Sequence, residues 1–235
     1  MGKTVIKWLG HSAFQITSPE GKVVLIDPWI TGNPLCPIKA RDIEAADMVL
    51  VTHDHSDHIG DAVDIAKRTR ATVCCMPETA DNLKAEHGLP EGLVVNGGIG
   101  MNIGGTVAIK GIEVTMVQAH HSSGTANPSG YIVKMEDGTT VYHAGDTGVF
   151  GSMQLFAEVY GIDVALLPIG GCFTMDAAQA AVALRLLNPR IAIPMHYKTF
   201  PFLAQSAKGF VEVARAKAPR VKVVELNPGE THTLG

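Results

Sequence analysis

The chain is 235 residues long, 46% hydrophobic and 18% charged, with a formal net charge of −4, the profile of a globular protein able to bury a sizeable core. Lysine and arginine are scattered apart from a thin Lys67-Arg68-Arg70 group, which argues against a nucleic-acid or anionic-membrane partner. No apolar stretch nears the ~20 residues that span a bilayer, and Met1-Gly2-Lys3-Thr4-Val5 enters a strand without an apolar signal core, so the expected location is the cytoplasm.

Val5-Ile6-Lys7-Trp8-Leu9 and residues 12–17 read as strands on either side of Gly10-His11, and the turn Pro19-Glu20-Gly21-Lys22 leads to a third at 23–26. That strand runs into Asp27-Pro28-Trp29, where Pro28 blocks further pairing. Residues 30–41 carry Gly32, Pro34 and Pro37 without periodicity, a loop of a length that is often functional. The apolar run Met48-Val49-Leu50-Val51 then delivers Thr52-His53-Asp54-His55-Ser56-Asp57-His58, which places three of the ten histidines in six residues. Imidazoles and carboxylates are ligands for divalent first-row metals. His53 and His55, two apart, share a face if the strand persists, while Asp57 and His58 can turn to a neighbouring position. A polar surface loop is the bland alternative, and the density of the cluster directly after a buried strand weighs against it.

A helix is expected over 61–69 and a strand over 72–76. Pro77 suits the first turn of a helix over 78–86 that Gly88 and Pro90 end. Short strands follow at 93–96, 106–109 and 112–118, and strands at 131–135 and 140–143 flank the hairpin signal Glu136-Asp137-Gly138. A helix over 150–160 precedes the buried run Val164-Ala165-Leu166-Leu167. Thr174 or Asp176 caps an alanine-rich helix that Asn188-Pro189 halts. A strand at 191–193, a helix over 204–216 and strands at 221–225 and 231–234 complete a single domain over residues 1–235. Hairpins mixed with strand-helix units predict two packed sheets with helices outside. Cys74-Cys75 point to opposite faces of one strand and make a poor disulfide or zinc pair, so these, Cys36 and Cys172 read as structural thiols of a reducing compartment.

Other candidate ligands recur at strand ends: His120-His121, Asp146 after Tyr142-His143-Ala144-Gly145, and His196 after Pro194-Met195. Alone each is weak, because a lone histidine is more often a hydrogen-bonded structural residue. With the loop they make five histidines and two carboxylates, enough for two metals sharing one oxygen ligand. Alternation lets only one of His120 and His121 face the metals, and periodicity does not choose. His87 and His232 read as surface residues. Gly170-Gly171-Cys172 reads as a tight loop, since no Lys-Ser/Thr follows as a phosphate loop requires.

His53-x-His55-x-Asp57-His58 with downstream His, Asp and His resembles the metallo-β-lactamase superfamily pattern HxHxDH…H…D…H. Leu9-Gly10-His11-Ser12, Leu25-Ile26-Asp27-Pro28, Tyr142-His143-Ala144-Gly145-Asp146-Thr147 and Pro194-Met195-His196-Tyr197 look like one branch of it. That branch comprises bacterial and archaeal metal-dependent hydrolases similar to the L-ascorbate-6-phosphate lactonases. The likeness runs from Trp8 to the last strand and is more specific for fold and site than for substrate. It implies an α+β fold, a four-layer αββα sandwich, with two divalent metal ions per chain, zinc or manganese foremost and nickel or iron also suited.

By motif position His53, His55 and the downstream histidine would hold the first ion, Asp57, His58 and His196 the second, and Asp146 would bridge. The branch pattern favours His121 over His120 as that downstream ligand. Asp27 and His120 would support the ligands from behind, and His11 and His143 would lie near the site. The expected reaction is hydrolysis of an ester, lactone or phosphoester-type bond in a small molecule. A metal-bound hydroxide attacks, Asp57 positions it, and His143 or His11 gives the leaving group its proton. Iron-dependent oxidoreduction on the same scaffold, or nuclease activity, are the competing readings, with a non-enzymatic metal-binding role behind them. A homo-oligomer is compatible with the branch.

Overall fold

Apolar side chains alternate along the opening strands, and because successive strand residues point to opposite faces that alternation builds two apolar layers at once. The computed structural model describes residues 2–234, so the expectations that fall on Met1 and Gly235 lie outside the described residues. Strands β1 (Val5–Gly10), β2 (Ala13–Thr17) and β3 (Val23–Ile26) form an antiparallel meander, with Trp8 opposite Phe14 and Phe14 opposite Ile26. β4 (Met48–Leu50) joins β3 in parallel. The short α1 (Ser56–Ile59) and α2 (Ala62–Thr69) then lead to β5 (Thr72–Cys74), also parallel, and α3 (Pro77–His87) follows. Trp8, Phe14, Ile26, Leu50 and Cys74 face the second sheet. Leu9, Leu25, Val49, Val73 and Cys75 face α2 and α3.

The second sheet repeats the plan. β6 (Thr106–Ile109), β7 (Ile112–Gln118), β8 (Ser129–Lys134) and β9 (Thr140–His143) are antiparallel neighbours. After α4 (Met153–Tyr160) come β10 (Val164–Pro168), α5 (Ala177–Leu187), β11 (Ile191–Met195), α6 (Lys208–Lys217) and β12 (Lys222–Val223), whose strands extend the sheet in parallel. β13 (Thr231–Thr233) returns to the first sheet and pairs with β1. The strand orders are β13-β1-β2-β3-β4-β5 and β12-β11-β10-β9-β8-β7-β6. The molecule is therefore the expected α+β sandwich of four layers, αββα. Tyr131, wholly buried, links the sheets through its hydroxyl, which lies 2.8 Å from the carbonyl oxygens of both Val51 and Cys74.

Several expected elements differ. Residues 93–96 are not a strand: Glu91–Leu93 is a 3₁₀ turn and only Val94 bridges, to Val73. α1, four residues long and starting inside the histidine loop, is too short to leave a period in the sequence. The last helix starts at Lys208, not residue 204, because the backbone of Ala204 is used to close a loop, accepting from Lys198 N and donating to Gly170 O. Asp176, not Thr174, caps α5 by accepting from Gln179 N at 2.8 Å. Among the described residues no helix is long and apolar enough to cross a membrane. The C-terminal ends of β1, β3, β4, β7, β9 and β11 all open on one edge of the sandwich, where an α/β scaffold gathers functional side chains.

Candidate metal centre

At that edge α1 folds the histidine loop back on itself. His55 takes the position before its first turn, and the amides of His58 and Ile59 return to the His55 carbonyl at 2.9 and 3.0 Å. His53 and His55 stay on one side, with His53 Nε2 2.9 Å from His55 Nδ1, while Asp57 and His58 turn toward β1 and β11. Asp27, at the end of β3 with φ +46, receives the Thr52 amide at 2.8 Å, the Thr52 hydroxyl at 2.7 Å and His58 Nδ1 at 2.7 Å. The donor on Nδ1 leaves the His58 Nε2 lone pair for the centre.

The second sheet supplies the rest. Gly145 holds φ +60, and a Cβ there would collide with the Ser129 carbonyl oxygen, so the chain turns sharply and presents Asp146. Asp146 Oδ2 lies 2.9 Å from His196 Nε2, 3.3 Å from His58 Nε2 and 3.7 Å from His121 Nε2. Three groups of side chains bring ligand atoms within 4.8 Å of one another: His53, His55 and His121; His11, Asp57, His58 and His196; and His53, His58 and Asp146. The third group joins the other two. All seven ligand candidates of the sequence therefore meet in one place.

The electrostatics favour a cation there. Burial holds the His53 imidazole down to about 3 and that of His11 to about 4, and it lowers His121 as well, so these rings stay neutral, the form that binds metal. Burial also disfavours the His58 imidazolium, but Asp146 and Asp27 on its two sides outweigh it and raise its pKa well above the usual value. Burial would raise the Asp146 carboxyl, yet His58 and His196 bring it well below the usual range. A positive charge is thus favoured between these carboxylates, whether the imidazolium of His58 or a bound cation. Buried polar atoms point the same way: His58 Nε2, Asp146 Oδ1 and His196 Nδ1 make no hydrogen bond, the 3.3 Å approach of His58 to Asp146 being misaligned. Leaving such atoms unpartnered costs about 1–3 kcal/mol each. Two imidazole-rich sets and a carboxylate between them are the donor set a first-row divalent ion takes.

The supporting residues divide. Asp27 orients the loop as expected. His11, at φ +53, is fully buried, with Nε2 3.1 Å from Asp57 Oδ2 and Nδ1 2.9 Å from Thr199 Oγ1. Through that contact it steadies Asp57, and with Asp57, His58 and His196 it makes one of the three ligand groups. His143 is a correction: it is fully buried, its Nε2 meets the Ser12 carbonyl at 2.9 Å and its Nδ1 accepts the Gly145 amide at 3.1 Å. Both nitrogens are occupied by backbone, so it shapes the Asp146 turn and is no proton donor. His120 is a second correction: its exposed ring stacks on Phe150 at 4.6 Å, away from the cluster. Only its backbone contributes, receiving the Gly148 amide and donating to Thr147 Oγ1.

Sequence reasoning passed over Asp54, which accepts from Ser123 Oγ at 2.8 Å and from the Gly124 amide at 2.7 Å and so ties the His121 loop to the His53 loop. Its place between two ligand candidates was the available signal. His11, Asp27 and His196 share left-handed backbone, φ +53, +46 and +56, a strain typical of functional sites for which side-chain type gave no signal. The cluster floors a cavity of about 270 Å³ that has Ser122 and an aromatic wall above. A hollow of about 180 Å³ lined by Lys3, Asp137 and Arg190 lies at the opposite strand ends and holds no such chemistry.

A family model described as "Beta-lactamase superfamily domain" matches residues 22–197, from the turn before β3 to the neighbour of His196. The "UPF0173 metal-dependent hydrolase" of Nitratidesulfovibrio vulgaris (strain DP4) is 52% identical over 232 residues, which cover 99% of this chain and 96% of that one. The "UPF0173 metal-dependent hydrolase" of Caldivirga maquilingensis is 46% identical over 230 residues, 97% of each chain. Among solved structures, Igni18, a metallo hydrolase from the hyperthermophilic archaeon Ignicoccus hospitalis, is similar with a TM-score of 0.89 at 39% identity, covering 99% of both chains.

Proposed function

Since the chain belongs to the metallo-β-lactamase superfamily, and within it to the metal-dependent hydrolases named UPF0173, we propose that it cleaves an ester, lactone or phosphoester-type bond of a small molecule at a two-metal centre. His53, His55 and His121 would hold one ion, Asp57, His58 and His196 the other, with Asp146 between them. When bound, two divalent ions supply Lewis acidity and lower the pKa of water from 15.7 toward about 7.

The protein's own part is to orient the ligands and the water. Asp27 and Thr52 fix the His58 ring, and Asp54 fixes the loop of His121. Asp57, half-buried and facing the cavity, is kept ionised: burial pushes its carboxyl up, and the hydrogen bond from His11 with the nearby His58 brings it well below the usual range. One Asp57 oxygen is engaged by His11, which leaves the other to face the second-ion position and to orient a water in the cavity by accepting its hydrogen bond. The convergence of three histidine nitrogens on Asp146 Oδ2 within 3.7 Å carries this reading.

The test is elemental analysis of tag-free protein beside Asp146→Ala. Two ions per chain are expected in the wild type. The variant is expected to retain at most one and to lose about 100-fold or more in kcat/KM, as removing several kcal/mol of transition-state stabilisation implies. Near-normal rates in Asp146→Ala would overturn the central role of Asp146.

A further inference from the structure

The metal-binding side chains make only the floor of the cavity; its wall is Phe173, Phe200 and Phe202. Phe173 and Phe202 are 58% and 57% exposed, which is unusual for large apolar side chains outside a binding surface. The wall is built in advance. The Phe200 ring stacks on Phe202 at 5.4 Å and on Trp29 at 6.0 Å, and Phe173 meets Phe202 edge-on at 5.7 Å. The Gln205 amide donates to the carbonyls of Phe200 and Leu203 at 2.8 and 2.7 Å, and Ala204 N bonds Gly170 O at 2.9 Å. The Gln205 bonds close the Phe200–Phe202 loop on itself, and the Ala204 bond joins it to the loop of Phe173.

Charge is missing from the same surface. Among the described residues no lysine or arginine lines the cavity. Lys198, the nearest base in the sequence, sets its ammonium 5.5 Å over the ring of Tyr197, which itself stacks on Trp8 in the core. The adjacent start of α5 is already capped by Asp176. An anionic group beyond the scissile bond would be desolvated against aromatic faces, whose quadrupoles are negative, and would find none of the guanidinium or helix-end donors that phosphate sites use.

Resting on the hydrolase reading above, we infer that the substrate places a small, uncharged, apolar group, a single ring or a branched alkyl chain, against Phe173, Phe200 and Phe202, and carries no phosphate or other anion away from the bond that is cut. The cavity, at about 270 Å³, falls just under the ~300–1,000 Å³ of pockets for drug-sized ligands, so the group is limited to one ring.

The experiment compares p-tolyl acetate with 4-acetoxybenzenesulfonate on the metal-loaded protein, each rate divided by that of hydroxide in buffer. A preference of tenfold or more for the tolyl ester is expected. Phe202→Lys, at an exposed position that tolerates the change, should reduce or reverse it. Calorimetric titration with the stable amides N-(p-tolyl)acetamide and 4-acetamidobenzenesulfonate reads the same preference without turnover. If the sulfonate ester is turned over as well or better, or if Phe202→Lys leaves the ratio unchanged, the inference falls while the hydrolase reading stands; if the neutral amide is not bound in preference to the sulfonate amide, the inference falls whatever the rates. If neither ester is cleaved yet the neutral amide binds preferentially, the ester reading falls and the apolar pocket stands.

Discussion

Asp27 takes three hydrogen bonds while fully buried, and its influence on the centre runs entirely through His58. An asparagine there would present an amide hydrogen toward a ring nitrogen that is itself a donor, so the imidazole would rotate or change tautomer and lose the lone pair it turns to the centre. Asp27→Asn should therefore weaken metal binding about 10–100-fold, read by competition with a chromophoric chelator, with far-UV circular dichroism unchanged. Unaltered affinity would mean that His58 is oriented by something other than Asp27. At this scale the ligand candidates were legible because their spacing is local: four lie within six residues, and the others follow strand ends. Residues whose role is set by distant neighbours were not. Ser12 and the Asp146 turn enclose His143, and the Phe150 ring holds His120 outward. Neither contact leaves a trace in the sequence near the histidine.

Turns and strands show the same division. The paired strands were readable from alternation or from short buried apolar runs, and Pro77, Thr174 or Asp176, and Asn188 marked helix ends, since each answers to a backbone rule that acts within a few residues. The 93–96 segment was misread because β-forming residues need a partner edge, and only Val94 finds one. The Gly145 turn is the element on which Asp146 depends, and it can be tested against another turn. Gly145→Ala meets both a left-handed φ and the Ser129 carbonyl. Gly138→Ala, in the β8–β9 hairpin, meets a φ of +85 with nothing within 4 Å. Urea unfolding should cost Gly138→Ala about 1 kcal/mol and Gly145→Ala about 2–3 kcal/mol, and only Gly145→Ala should also weaken metal binding. Equal losses in the two variants would sink the account of Gly145 as a close approach.

Over the whole molecule, the candidate ligands come from both sheets, so a bound ion ties the sandwich together at its open edge. A ligand that binds only the folded chain stabilises it by about 2.7 kcal/mol when present at 100 times its Kd, and for a chain of this size that raises Tm by about 5–10 °C. Chelator-treated protein should melt that much lower than protein reloaded with zinc or manganese; identical melting curves would mean that the ion does not bridge the layers. The scattering of the cluster along the chain has a further consequence during synthesis. At ~5–20 residues per second, His196 leaves the ribosome on the order of ten to forty seconds after His11. Until β6–β9 have emerged, the inner face of the first sheet, with Trp8, Phe14 and Ile26, has no second sheet to cover it, and through the whole interval the histidine loop is an open chelator without its last donor, His196. A centre that needs every candidate ligand can be completed only after β11 has emerged; a nascent chain stalled before β6 is then most exposed to aggregation, and one stalled before β11 to capture of the wrong ion.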